Sequence, residues 1–255
     1  MSEKTPHLSV IIPAYNEAKR IGNTLLDVDK YLSEQDYSYE ILVVIDSTGG
    51  DNTSEVVDNY KKLVKNLEYL VFKGGSGKKG LAVRMGMLKT TGKWRLFMDA
   101  DSATTIDHLE KFWPLVDQGF EVLITSRDKK DVKGARQAVK QPLFKRMLGN
   151  FGNILTQIFG VWGIWDTQNG FKMLSAKAIE DIFSRAKVNG FGFDIELLAL
   201  AKKLGYKIGI APANWINDPN SRVTLSSYLY VFMELLKIRW NLITDKYNVK
   251  KDKTE

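Results

Sequence analysis

Short apolar runs recur along the first half of the chain: Leu8 to Ile12, Glu40 to Ile45, Glu68 to Phe72, Lys93 to Met98 and Glu121 to Thr125. Runs this short, closed by polar or turn residues, predict buried strands. The stretches between several of them carry helical spacing instead. Asn16 to Leu32 places Ile21, Leu25, Val28 and Leu32 on one side, and Thr53 to Leu67 does the same with Val56, Val57, Tyr60, Leu63 and Val64. A third helix is predicted from Leu81 to Lys89. Strands alternating with helices predict an α/β fold with a doubly wound, mostly parallel sheet. Such sheets collect ligands at the carboxyl ends of their strands. The polar residues at that edge are Asn16-Glu17, Asp46, Lys73, Asp99 with Asp101, and Ser126-Arg127.

The second half is less regular. Gln141 to Trp165 has Phe144, Met147, Leu148, Phe151, Leu155, Ile158 and Trp162 near helical spacing, with Lys140, Lys145 and Arg146 at its start. Two readings are open, a buried core helix and an interfacial helix whose basic end meets lipid phosphates. Leu225 to Leu242 is amphipathic through Leu225, Tyr228, Leu229, Phe232, Leu235 and Leu236, with Lys237, Arg239 and Lys246 toward its end. The expected organisation is one α/β domain over residues 1–222, an amphipathic, membrane-associated helix over 223–247, and a charged tail over 248–255.

Composition narrows the chemistry. In 255 residues there are 37 Lys and Arg against 30 Asp and Glu, a formal charge of +7, which favours phosphate-bearing partners. No nucleic-acid motif accompanies that charge, so nucleic acid is not an expected partner. The absence of cysteine excludes disulfides and thiolate catalysis. The first apolar run is too short for a signal peptide, and none reaches the roughly 20 residues of a spanning helix. Attachment to a membrane is therefore expected to be peripheral.

Four groups carry candidate chemistry. Asp99 and Asp101 follow a buried strand on one face; two adjacent carboxylates repel, and a hard divalent cation such as magnesium or manganese relieves that repulsion, whereas a solvated turn is the plain alternative. Pro13-Ala14-Tyr15-Asn16-Glu17 offers an aromatic ring and polar groups to a base or ribose, or simply an acidic helix start. Asp46 closes the second strand and suits a nucleobase or ribose hydrogen bond. Lys73-Gly74-Gly75-Ser76-Gly77-Lys78-Lys79-Gly80 is a basic, glycine-rich loop opening a helix that carries Arg84; it lacks the Walker order, and it suits a phosphate or is a solvated loop.

Pro13 to Glu17, Asp46 with Asp51-x-Thr53, and Asp99-x-Asp101 together resemble the family 2 glycosyltransferases of the GT-A fold. Gly163-Ile164-Trp165-Asp166-Thr167-Gln168-Asn169-Gly170-Phe171-Lys172 and Phe193-Asp194-Ile195-Glu196 resemble the dolichyl-phosphate β-glucosyltransferase subgroup, as do Lys79-Gly80-x-Ala82-x-Arg84-x-Gly86, Asn214-Trp215 and Ser221-Arg222. The resemblance implies inverting transfer of a hexose, with glucose from UDP-glucose favoured, to a polyprenyl or dolichyl phosphate at the cytoplasmic face of a membrane. By that resemblance Pro13, Ala14, Tyr15, Asn16, Glu17, Asp46, Lys79, Arg84, Asp99 and Asp194 hold the nucleotide sugar. Asp99 and Asp101 hold Mg2+ or Mn2+; among the catalytic candidates, Arg127 and Arg222 hold phosphates of donor or acceptor and Asp166 orients acceptor or sugar. Subgroup members place a membrane helix ahead of this domain; here the amphipathic segments are expected to take that role. One departure stands out: the family's Asp-Asp-Gly-Ser is Asp46-Ser47-Thr48-Gly49 here. A transferase acting on a glycan or other soluble acceptor, and a non-catalytic nucleotide or lipid-surface binder, remain as alternatives. The sequence fixes no oligomeric state.

Overall fold

The structure, a computed structural model, describes residues 5–137, 152–215 and 225–249. Arg222, the whole basic start of the Gln141–Trp165 segment (Lys140, Lys145 and Arg146), and the charged tail from Lys250 lie outside the described residues. The five apolar runs form β1 (Leu8–Ala14), β2 (Tyr39–Asp46), β3 (Leu67–Phe72), β4 (Trp94–Met98) and β5 (Val122–Ser126). The short β6 (Arg136–Gln137) precedes two strands that the hydrophobic pattern does not single out, β7 (Phe171–Ser175) and β8 (Ile208–Pro212), and β9 (Asn214–Trp215) pairs with β6. The main sheet has the order β3-β2-β1-β4-β7-β5-β8. Its strands are parallel except β7, which runs antiparallel to both β4 and β5.

Helices cover both faces. They are α1 (Ile21–Ser33), α2 (Thr53–Tyr60), α3 (Lys79–Lys89), α4 (Trp113–Asp117), α5 (152–159), α6 (Ala176–Phe183), α7 (Phe193–Leu204) and α8 (Leu225–Ile243). Successive strand residues point to opposite faces. Val10, Ile12, Val43, Leu96 and Met173 accordingly pack with Leu25 and Val28 of α1 and Val57 of α2. Their neighbours Ile11, Val44, Phe97 and Leu174 pack with Val83 and Met87 of α3, Ile179 of α6, Leu197 of α7 and Leu235 and Ile238 of α8. Each such apolar side chain, fully buried, contributes roughly 1.5–3 kcal/mol. Gly86 lets α3 sit close on β1, since a Cβ there would lie 2.4 Å from Ile11 Cγ2.

Three predicted helix limits shift for local reasons. Asn16 adopts the left-handed region (φ 57°), and the Arg20 and Ile21 amides both donate to the Glu17 carbonyl in a separate turn, so α1 starts at Ile21 rather than Asn16. Helix α2 ends at Tyr60 because Asn66 (φ 55°) turns the chain into β3 and accepts from the Ile41 amide. The helix predicted through Trp165 stops at residue 159, and Gly163 (φ 83°) turns the chain toward β7.

The reversed strand decides what the sheet edge presents. Chain leaving β1, β2, β4 and β5 reaches the carboxyl edge after the strand, whereas chain entering β7 reaches it before. Gly163 to Gly170 is thereby brought beside Asp99 and Arg127.

Candidate functional site

Asp99 emerges from β4 with its amide donating to the Gly170 carbonyl at 3.0 Å, and its carboxylate ion-pairs with Lys79 at 2.5 Å from the first turn of α3. Gly170 is required there by space: an added Cβ would fall 2.1–2.5 Å from the Asp99 carboxyl atoms. Burial works to lower the Lys79 ammonium, but Asp99 and Asp194 outweigh it and hold the group above its ordinary value. Asp101 accepts from the Ala103 amide at 3.0 Å. Burial first, and then the Asp99 charge, push Asp101 upward, opposed by Arg20 and Lys79. Among the described residues no group of three or more His, Asp or Glu side chains is arranged around a metal position. The site thus offers two coupled carboxylates, one of them destabilised as an anion, and hard oxygen donors of this kind suit a cation that also takes phosphate oxygens.

Behind this pair lies a buried ion pair. Lys172 of β7 donates to Asp194 Oδ1 at 2.5 Å and to the Asn169 carbonyl at 2.6 Å, with both side chains almost wholly buried. Burial pushes Asp194 up and Lys172 down, each opposed by the other's charge. The second pair is bidentate: Arg127 Nε and Nη2 donate to Asp166 at 2.8 and 2.7 Å, and the Arg127 amide adds a third bond at 2.7 Å. Burial would raise Asp166, but the Arg127 charge and hydrogen bonds overcome it and hold the carboxyl below its ordinary range. Asp131 fixes this corner by accepting from the Ser126 hydroxyl at 2.7 Å and the Trp165 and Asp166 amides at 2.7 and 2.8 Å. Beside it a cavity of about 220 Å3 is lined by Asp128, Lys130, Asn153, Ile154 and Trp165, with the Lys130 ammonium 3.7 Å from the Trp165 ring centre.

The loop after β1 forms the other wall. Pro13 and Ala14 close the strand, Tyr15 is half-buried, and Asn16 packs where a Cβ on Gly49 would collide with it. Glu17 is ion-paired with Arg20, and its amide donates to Thr53 Oγ1 at 2.9 Å. Asp51 takes the Ala18 amide at 3.0 Å and the Thr53 hydroxyl at 2.6 Å, which explains why Asp51-x-Thr53 accompanies this loop. Asp46 Oδ1 accepts from the Thr48 amide and hydroxyl at 3.1 and 2.7 Å and from the Gly74 amide at 3.2 Å. Thr48 thus braces Asp46, and Asp46 ties the turn after β2 to the glycine-rich loop, while Ser47, at the place of the second carboxylate, donates to the Phe72 carbonyl at 3.2 Å.

Arg84 is engaged by protein partners. It donates to the Ala186 carbonyl at 2.8 Å and Asn189 Oδ1 at 2.7 Å, because its position in α3 faces the segment ahead of α7. Arg20, Lys172 and Asp131 join the site without having been singled out as site residues. Lys172 alternates with Phe171 and Met173, a period-2 sign that it faces the opposite side of the sheet from them; Asp131 lies in a charged run that reads as surface and gives no signal.

A mixed seven-stranded sheet with acidic and basic side chains at the edge where its parallel strands end has the architecture of the GT-A fold. Mycobacterium tuberculosis glucosyl-3-phosphoglycerate synthase in complex with UDP superposes with a TM-score of 0.66 at 16% identity, over 92% of this chain and 80% of that one. Staphylococcus aureus TarS in complex with UDP-GlcNAc gives 0.58 at 20% identity, over 92% of this chain and 66% of that one. The chain belongs to glycosyl transferase family 2, whose profile matches residues 9–183. It is 32% identical over 240 residues to a dolichyl-phosphate β-glucosyltransferase of Trichomonas vaginalis, covering 91% of this chain and 72% of that protein. Proteins of the same description from Dictyostelium discoideum (31%, 96% of this chain and 77% of that protein) and Saccharomyces cerevisiae (32%, 86% and 70%) are similar over nearly the same span.

Proposed function

We propose that this glycosyltransferase moves glucose from UDP-glucose to the phosphate of a dolichyl or other polyprenyl phosphate, with inversion at the anomeric carbon. The observation that carries the reading is the similarity to several dolichyl-phosphate β-glucosyltransferases across most of both chains, joined to a site in which Lys79, Lys172 and Arg127 face three buried or half-buried carboxylates. In this reaction an acceptor phosphate oxygen forms the new bond to the anomeric carbon as the bond to the nucleoside diphosphate breaks. The acceptor is already an anion near neutral pH, so no strong base is needed. Asp166, held below the carboxylate range and engaged bidentately, serves to aim Arg127. Arg127 supplies charge to hold the acceptor phosphate in line, with Arg222 as a second cation for it. The cavity walled by Ile154 and Trp165 suits the first isoprene units. Lys79 stabilises the departing diphosphate where its charge grows. Asp99 and Asp101 would hold a magnesium or manganese ion, which would neutralise diphosphate charge. Pro13, Ala14, Tyr15, Asn16, Glu17 and Asp46 line the side assigned to the nucleoside, and Asp194 lies next to Lys79 on the sugar side.

Contact with a membrane is peripheral in this reading. Among the described residues no helix is long and apolar enough to cross a bilayer. Helix α8 nevertheless exposes Leu229, Tyr230, Met233, Trp240 and Ile243, and α5 with the following turn exposes Ile154, Ile158 and Trp162 at 76%. Aromatic and aliphatic groups beside Lys237 and Arg239 suit the cytoplasmic leaflet of an anionic bilayer.

The test is transfer of radiolabel from UDP-glucose to a short polyprenyl phosphate, with GDP-mannose in parallel and EDTA as control. Label entering the lipid phase from UDP-glucose, lost in EDTA and in Asp101→Ala by about a thousandfold, is the expected result. Transfer only to water-soluble acceptors would overturn the acceptor assignment, and undiminished turnover in EDTA would overturn the cation.

A further inference from the structure

Helix α8 turns Glu234 toward the segment ahead of α7. Glu234 points away from the exposed stripe of its helix and accepts from the Gly190 amide at 3.1 Å through Oε1 and from the Gly192 amide at 2.8 Å through Oε2. Both glycines are fitted to it: a Cβ on Gly190 would lie 2.2 Å from Oε1 and one on Gly192 2.9 Å from Oε2. The clasped segment touches both donor-side helices. Gly192 is the residue before α7, whose first turn carries Asp194, and the Glu196 amide donates back to its carbonyl at 3.1 Å. On its other side the Leu81 amide of α3 donates to the Asn189 carbonyl at 3.1 Å, and Gly80 leaves room for Phe193 and the Gly190 carbonyl. Lys79 is the residue next to Gly80. Arg84 grips the same segment from α3.

We infer that Glu234 is a positioning residue of the transfer reaction: by clasping Gly190 and Gly192 from α8 it sets the first turns of α3 and α7, and with them Lys79 and Asp194, for the nucleotide sugar. The inference rests on the reading of these two residues as donor-side groups. A carboxylate is suited to this clasp because both partners are backbone donors and both its oxygens accept. Glutamine keeps the length but puts an N–H2 against one of those donors.

The experiment compares wild type, Glu234→Gln and Glu234→Ala by hydrogen exchange over residues 186–194, by titration with UDP, and by steady-state kinetics for both substrates. Faster exchange at residues 190–194, about tenfold weaker UDP binding, and a donor KM raised about tenfold with the acceptor KM unchanged, in variants that still unfold cooperatively, are expected. Exchange, UDP affinity and donor KM all within twofold of wild type would overturn the inference. Equal loss on both substrates, or failure of both variants to fold, would also overturn it by making Glu234 part of general stability. If wild type neither binds UDP nor transfers glucose, the functional reading fails instead, and the exchange arm still decides whether Glu234 holds the segment.

Discussion

At the scale of single residues, the site is held by groups whose substitution has distinguishable effects. Gly170→Ala would push a methyl group into the Asp99 carboxylate, and neither the β7 entry nor the Asp99 amide that bonds Gly170 can yield cheaply. A loss of about 1–3 kcal/mol in unfolding free energy is expected, with transfer reduced far beyond what that loss explains; a folded variant with normal turnover would show that Asp99 tolerates displacement. Asp166→Asn breaks a buried bidentate pair and should cost on the order of 3 kcal/mol at neutral pH. The sign with pH follows from the lowered carboxyl: its contribution is complete above the ordinary value of 3.8 and is lost as pH falls through the lower folded value. Urea unfolding at pH 7, 5 and 3 should therefore show the gap between wild type and variant intact at the first two and closing at the third. Residue chemistry was unevenly legible. Asp99 and Asp101 stand out because acidic residues close an apolar run, whereas the Arg84 bonds to Ala186 and Asn189 were not legible, because a basic side chain after a glycine-rich loop has the same signature whether it meets a phosphate or a carbonyl.

At the scale of elements, β1, β2, β4 and β5 were legible because strands buried on both faces are nearly continuous in apolar residues, and the part-buried edge strand β3 because Tyr69, Leu70, Val71 and Phe72 favour a strand. Strands β7 and β8 were not: Phe171-Lys172-Met173-Leu174 interrupts its apolar run with a lysine whose buried partner, Asp194, lies 22 residues on. Without β7 the antiparallel entry is invisible, and with it the reason that Gly163 to Gly170 belongs to the site. The predicted span of α8 agrees with its observed limits, but its expected single apolar face divides, with Leu235 buried against the core and Leu229 and Leu236 exposed. The stripe on its outer side leads to a prediction. Met233→Ser with Trp240→Ser removes two large groups that are 63% and 59% exposed, so the thermal midpoint should move by less than about 2 °C while affinity for phosphatidylcholine vesicles falls at least tenfold. Equal vesicle binding by the double variant would remove α8 from the membrane contact.

At the scale of the whole molecule, a charge of +7 and an apolar stripe act on a bilayer through separable physics. Burial of the stripe depends little on ionic strength, whereas attraction between basic side chains and anionic headgroups is screened over about 10 Å at 0.1 M salt and about 3 Å at 1 M. Each lysine or arginine near such a surface contributes about 1 kcal/mol at low salt. The wild-type chain should therefore bind vesicles containing phosphatidylserine more tightly than neutral ones at 0.05 M salt, and the two affinities should converge by 1 M to a common residual value. The same two substitutions on α8 should lower that residual value and leave the salt-dependent difference between vesicles nearly intact, because they change no charge. Sedimentation with vesicles of the two compositions across a salt series measures both quantities. Convergence to no binding at all would mean that charge alone brings the enzyme to its lipid acceptor, and α8 would then be left as the element that carries Glu234 to the donor site rather than as an anchor.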